Sequence, residues 1–108
     1  MDPKPLEPKA LKELLIKCWM THDAMWFAQC LQECGIEKTN RINRAAVRAM
    51  AAVEIKRMKK AAGIETIETF GQFWDFFRFV MASLTGDFMA YAFESKGKNH
   101  VRGTWQRC

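Results

Sequence analysis

Apolar residues recur along the first third of the chain at steps of three and four. Leu11, Leu14, Leu15, Cys18, Trp19, His22, Met25 and Trp26 fall on one helical face. This predicts a helix that begins after the proline-rich lead-in of residues 1–8, with Pro8 in its first turn, and runs to about Cys34. Thr21 and Asp23 are residues that cap helices, so a break near His22 would split it in two, and Gly35 is a stop signal. From Lys38 to Ala62 a further helix is indicated by Ala, Arg, Lys, Met and Glu content and by Gly63 beyond its end. Thr66 or Thr69 then caps another, and Thr69 has Gln72 three residues on to complete a capping box. Phe70, Trp74, Phe77, Met81 and Leu84 form its main stripe, with Phe73, Phe76 and Val80 beside it, and Thr85-Gly86-Asp87 ends it. So apolar a helix belongs in the core.

The period changes after Asp87. Met89, Tyr91 and Phe93 alternate with Phe88, Ala90 and Ala92, Lys96-Gly97-Lys98-Asn99 supplies turn chemistry, and His100–Cys108 reads as a return strand. The expected fold is therefore mainly α, three to four helices with a C-terminal β-hairpin. It is an α+β single domain over 1–108, with a lead-in at 1–8, a helical part at 9–85 and the hairpin at 87–108. A two-stranded sheet alone is marginal in water, so this one is expected to be continued by a partner chain, by a further segment that would make the domain incomplete here, or by the helices.

Length and composition narrow the class. With 108 residues, 49% hydrophobic, 12% aromatic and 27% charged, the chain can bury a core and is too apolar to be disordered. It has no apolar run of about 18 residues and no leader-like apolar segment, which predicts a cytoplasmic protein with no membrane partner. Cys18, Cys30, Cys34 and Cys108 are then expected to stay thiols. The net charge is +5, and eight Lys or Arg stand against only Glu37 and Glu54 within residues 36–62. There Lys38, Arg41, Arg44, Arg48, Lys56 and Lys59 share one side of the helix, opposite Ile42, Ala46, Ala49, Met50 and Val53. No nucleic-acid-binding motif accompanies the stripe, so a solvated face is its commoner meaning and nucleic acid is not the expected partner.

Candidate chemistry is sparse. Cys18, His22, Cys30 and Cys34 are zinc-compatible in type, but a continuous helix would place Cys18 and Cys34 roughly 24 Å apart, so no metal is expected. Neither a serine-nucleophile elbow, a phosphate loop nor a dinucleotide fingerprint is present, so no cofactor is expected and enzymatic activity is left open. Trp19, His22 and Trp26 share a face, with Asp23 beside them. Such a wall could hold a flat ligand, or it could be the core face of a helix. Glu54 projects into the apolar sector among Val47, Met50 and Met58, where a carboxylate needs a partner, and Arg57 is within reach at i+3. This pair could anchor a ligand or lock helices together. The leading expectation is a small-molecule-binding or enzyme-related domain for a small polar ligand, with Trp19, His22, Asp23 and Trp26 as pocket wall and Glu54 with Arg57 as anchor. A helical module that forms a homo-oligomer is the alternative, and nucleic-acid binding through residues 38–60 stands third.

The stretch Cys18-Trp-Met-Thr-His-Asp-Ala-Met-Trp-Phe27, followed by Ala51-Ala-Val-Glu-Ile-Lys-Arg-Met-Lys-Lys60, resembles a family of small prokaryotic cytoplasmic proteins of unknown function. Its members look like a helical part with Trp-x-x-x-Asp-x-x-Trp-Phe and Glu-x-x-Arg features leading into a sheet. Trp19, Asp23, Trp26, Phe27, Glu54 and Arg57 match those features. The resemblance covers most of residues 10–108 and implies a fold rather than a chemistry. Members look longer, with a sheet that continues after a Cys-Arg-containing strand. A more remote similarity, to the helical part of L-2-amino-thiazoline-4-carboxylic acid hydrolases, implies binding of a small polar molecule.

Overall fold

The computed structural model describes residues 2–107; Cys108, expected to close the return strand and to keep a free thiol, lies outside them. The elements run in the order α1 (Pro8–Ala62), α2 (Phe70–Leu84), β1 (Ala90–Gly97) and β2 (His100–Arg107). The helices therefore number two, not three to four, and the hairpin closes the described chain.

Two local causes account for the difference. Thr21 does not cap a new helix: its hydroxyl donates to the Lys17 carbonyl at 3.0 Å, a bond back into its own helix, and the turns continue through His22. At Gly35 the chain does leave helical geometry, with φ 77° and ψ 168°, but helical backbone resumes at the next residue. No loop separates the two stretches, and α1 is one 55-residue helical element bent at a single glycine. Its start and stop follow the sequence: Pro8 occupies the first helical position, and the Leu11 amide bonds the Glu7 carbonyl at 2.9 Å. At the far end Gly63, at φ 71°, donates to Lys60 O at 3.2 Å while Ile64 donates to Lys59 O at 2.9 Å. That pair of bonds is the Schellman stop.

The capping box predicted for α2 is present. The Gln72 amide donates to Thr69 Oγ1 at 3.1 Å, and Gln72 Oε1 accepts from the Thr69 amide at 3.2 Å. Of the apolar stripe on α2 only Phe76 is fully buried, at 5% exposure, whereas Trp74, Phe77 and Met81 are half-buried. β1 and β2 pair antiparallel around a Lys98-Asn99 turn, with Tyr91 opposite Trp105 and Phe93 opposite Gly103. The sheet has these two strands alone among the described residues.

The chain divides into two compact units. One holds the described residues up to Ile16 together with those from Thr66 onward, and the other is Lys17–Glu65. In the first, the opening turns of α1 clasp the connection that follows α2. Lys12 Nζ donates to the Ala82 carbonyl at 3.0 Å, Glu13 Oε1 accepts from the Asp87 amide at 3.1 Å, and Lys9 pairs with Asp87 at 2.6 Å. The Lys12 ammonium, on the last turn of α2, sits where a helix's carbonyl end favours cations. The hydrogen bond between Lys9 and Asp87 holds the Lys9 amine above its ordinary pKa and the Asp87 carboxyl below the ordinary carboxylate value. Asp87 thus stays charged further into acid than a free aspartate, and the contact loosens only as pH falls through that lowered range. No helix of the described residues is long and apolar enough to cross a membrane.

The setting at Gly35 lies in a backbone region open almost solely to glycine, while a Cβ there would meet nothing within 4 Å. The cost of a side chain is therefore backbone strain alone. Gly35→Ala and Gly35→Asn should both destabilise the chain by about 1–3 kcal/mol, measured as a shift in denaturant midpoint at constant slope. At Gly63, whose Schellman geometry asparagine tolerates, Gly63→Asn should cost clearly less than Gly63→Ala.

Candidate functional site

In the unit Lys17–Glu65, two stretches of α1 run back along each other from Gly35. The residues that wall the groove between them show the reversal: Asp23, Trp26, Phe27 and Cys30 on the first stretch face Thr39, Ile42, Asn43 and Ala46 on the second. The spacing on each side is three, one and three residues, which marks a single helical face, and Cys30 meets Thr39 nearest the bend. The groove encloses about 210 Å³.

Three of the six residues singled out in the sequence stand at or beside this groove. Asp23 and Trp26 line it. Trp26 is held from the next turn by His22: its indole Nε1 donates to His22 Nε2 at 3.2 Å, with the ring centroids 6.3 Å apart. Trp19 lies on the same stretch, 55% exposed, and is not part of the groove wall. Glu54 and Arg57 are not in that wall either. They form their own pair, with Arg57 donating to Glu54 Oε1 at 3.0 Å across one helical turn, and Glu54 is half-buried. The structure thus brings His22, Asp23 and Trp26 together and Glu54 with Arg57 together, as two separate clusters.

The groove also holds residues that the sequence pattern did not single out. Thr39 is 1% exposed, and its Oγ1 has no hydrogen-bond partner. A helical threonine ordinarily returns its hydroxyl to a carbonyl three or four residues back; here that position falls on the bend around Gly35. Leaving a buried hydroxyl unpaired costs about 1–3 kcal/mol. Among the described residues neither the Asp23 carboxylate nor the Asn43 amide has a hydrogen-bond or ion-pair partner. The signal that would have found Thr39 is arithmetic: a reversal at Gly35 pairs positions about equally far from it, and Thr39 is the fourth residue beyond.

The other unit carries a larger cleft, of about 410 Å³, between α2 and the hairpin. Its walls are aromatic. Phe93 meets Trp74 edge to face at 5.1 Å and Phe77 at 5.6 Å, while Tyr91 meets Phe93 at 5.2 Å and Trp105 at 5.5 Å. Asn99, His100 and Thr104 add polar groups to the lining. Trp74 and Phe93 also line a neighbouring recess edged by Arg78 and Lys98. The Arg78 guanidinium sits 5.9 Å from the Trp74 ring centroid and pairs with Asp75. Every one of these rings is visible in the sequence as core material. What the pattern could not show is that the hairpin leaves Trp74, Phe77, Tyr91 and Phe93 half-buried and Trp105 exposed around a cleft instead of closing over them.

Among the described residues no three His, Cys, Asp or Glu side chains converge as metal ligands, and Cys18, Cys30 and Cys34 are free thiols. A family of unknown function, DUF6125, matches residues 8–89, a span that takes in α1 and α2 and stops one residue short of β1. No curated protein and no solved structure matches the chain.

Gly103 keeps the aromatic cleft in shape. A Cβ at this position would stand 2.8 Å from Phe93 Cε1 and 3.0 Å from Cδ1, so the ring lies across β2 only because residue 103 has no side chain. Gly103→Ala should displace Phe93 from Trp74 and Phe77 and lower stability by about 1–3 kcal/mol. Thermal melting, with loss of the ring-current shifts on the Phe93 protons, checks both effects.

Proposed function

The chain belongs to a family of unknown function, DUF6125, and we propose, from its side chains rather than from that name, that it is a small-molecule-binding domain. The ligand is a flat aromatic or heteroaromatic molecule taken up between α2 and the hairpin. The observation that carries this reading is the cleft itself: about 410 Å³, walled by Trp74, Phe77, Tyr91, Phe93 and Trp105, with His100 and Thr104 among its few polar groups. Ligand sites are concave, mostly apolar and of this volume, with a small number of polar groups that fix orientation. Rings already set edge to face leave their faces available to a planar guest. The indole and phenyl walls supply contact area, and the imidazole and hydroxyl supply direction.

A chain carrying Trp19→Phe and Trp26→Phe reports on Trp74 and Trp105 alone. Titrated with purine, indole-carboxylate and pyridine-carboxylate compounds, it should show saturable quenching by at least one of them, and Trp105→Ala should weaken that binding at least tenfold. A panel of one- and two-ring heteroaromatics that gives no saturable quench removes the reading.

A second reading has its own observation. Trp19 and Trp26, a helical face apart by seven residues, are 55% and 62% exposed, and Met25 between them is exposed as well. Exposed indoles on one face are what a helix presents to a second copy of itself. Sedimentation velocity across a hundredfold concentration range should then show a dimer that Trp19→Gln converts to monomer. A species that stays monomeric at every concentration excludes self-association through this face.

A further inference from the structure

The two stretches of α1 are joined through a single residue. Gly35 stands at the midpoint of the helix, equally far from Pro8 and Ala62, and it alone leaves helical geometry. No loop separates the stretches, and a Cβ at residue 35 would meet nothing within 4 Å, so neighbouring side chains do not hold the hinge in place. A hinge this short, between elements that pack on each other, is the situation in which two copies of a chain exchange those elements. The bend also leaves one group unsatisfied. At ψ 168°, against about −42° in a helix, the Gly35 carbonyl points away from its helical direction. The Thr39 hydroxyl, four residues on and almost fully buried, has no partner. In a straight helix that carbonyl is the ordinary acceptor for Thr39, as the Lys17 carbonyl is for Thr21 at 3.0 Å.

We propose that α1 straightens at Gly35 and exchanges its halves with a second copy of the chain. Gly35 admits both states, because glycine adopts helical geometry as well as φ 77°. In the exchanged dimer the stretch before the hinge packs antiparallel on the stretch after the hinge of the other copy. The groove of the bent form dictates the register: Phe27 and Cys30 again face Ile42 and Thr39, now across copies. These positions lie about equally far on either side of residue 35. With the hinge central, two straight helices align without overhang about a two-fold axis. The other compact unit is also built from chain on both sides of the hinge, the described residues up to Ile16 and those from Thr66 onward, so it too re-forms between copies. Its clasp, Lys12 to Ala82 and Glu13 to Asp87, becomes intermolecular. Contacts away from the hinge are kept, and the exchange adds the Thr39 bond. Trp19 is outside the groove wall and plays no part, which separates this dimer from one formed through the exposed indole face.

The test compares full chains, refolded from denaturant, by sedimentation velocity over a hundredfold range of concentration. Wild type should show a dimer whose share grows with concentration, and Trp19→Gln should leave that dimer in place. Gly35→Ala is penalised in the bent form, which stands alone at low concentration, but favoured in the straight helix. It should tighten the dimer at least tenfold. Inserting Gly-Ser-Gly-Ser after Gly35 gives the bent form a relaxed loop and interrupts the straight helix, so that chain should stay monomeric with its helical circular dichroism retained. In dimers refolded from a mixture of ¹³C-labelled and unlabelled chains, isotope-filtered spectra should connect the Ile42 methyls of one copy to the Phe27 ring of the other. If Gly35→Ala does not fold, wild type and the lengthened hinge decide the matter by the same measurements. The proposal is overturned if neither wild type nor Gly35→Ala forms a dimer, if the lengthened hinge dimerises as well as wild type, or if Ile42 and Phe27 meet only within one chain.

Discussion

At φ 77° and ψ 168° only a residue without a Cβ is comfortable, and that one backbone setting at Gly35 decides which side chains of α1 meet. A straight helix would carry Asp23 and Asn43 roughly 30 Å apart along its axis. The reversal places them on opposite walls of the same groove. It also explains why so small and polar a residue as Thr39 is the most deeply buried side chain of the chain's described part. Close to a sharp bend the two stretches approach too nearly for a Leu or Phe, so the position facing Cys30 must be small. Threonine satisfies the volume and leaves a hydroxyl over. The facing of Asp23 and Asn43 across the groove is downstream of this single conformational permission, whereas the Trp26–His22 bond spans one turn of the first stretch and forms without it.

The unit that contains α2 and the hairpin rests on a comparable permission at Gly103. Its missing side chain lets the Phe93 ring lie across β2, and Phe93 is the ring through which the helix and the sheet are joined, touching Trp74 and Phe77 on one side and Tyr91 on the other. Glycine opposite an aromatic residue across an antiparallel pair weakens the strand locally but gains the area of a whole ring. The polar clasp at the start of α1 has a different weight. Lys9, Lys12 and Glu13 reach Ala82 and Asp87 through exposed contacts, which orient the connection after α2 more than they stabilise it.

Local signals in the sequence were reliable wherever the outcome depends on a few neighbouring residues. Pro8 at the helix start, Thr69 and Gln72 as a capping box, Gly63 as a stop and Lys98-Asn99 at the turn all describe backbone groups satisfied within a residue or four. The number of helices was misjudged for the same reason in reverse. Thr21 has two uses for its hydroxyl, capping a new helix or bonding back to Lys17, and nothing within the sequence window distinguishes them. Gly35 was legible as a break, but a break followed by a loop and a break followed at once by more helix share one sequence signature. Burial was the least legible property. Periodicity identifies the apolar face of a helix, not whether anything covers it, so the stripe on α2 read as core and proved to be cleft wall around a single buried Phe76.

The six residues that drew attention in the sequence separate along one physical line, whether folding satisfies them. Glu54 and Arg57 satisfy each other across a helical turn at 3.0 Å, and a pair with its guanidinium in solvent contributes little and asks for no third partner. His22 is satisfied by Trp26. Asp23 is exposed to solvent, as is Asn43 across the groove, and only the Thr39 hydroxyl between the two stretches is buried without a partner among the described residues. The Glu-x-x-Arg feature therefore reads as part of the scaffold, while the Trp-x-x-x-Asp-x-x-Trp-Phe feature supplies one wall of a groove, its opposite wall coming from residues with no motif at all. Residues 8–89, the span shared with the family, contain both walls of that groove but only the helical wall of the aromatic cleft, because β1 begins at Ala90. Of the two concave sites, only the one inside α1 can be assembled entirely from the part of the chain that defines the family.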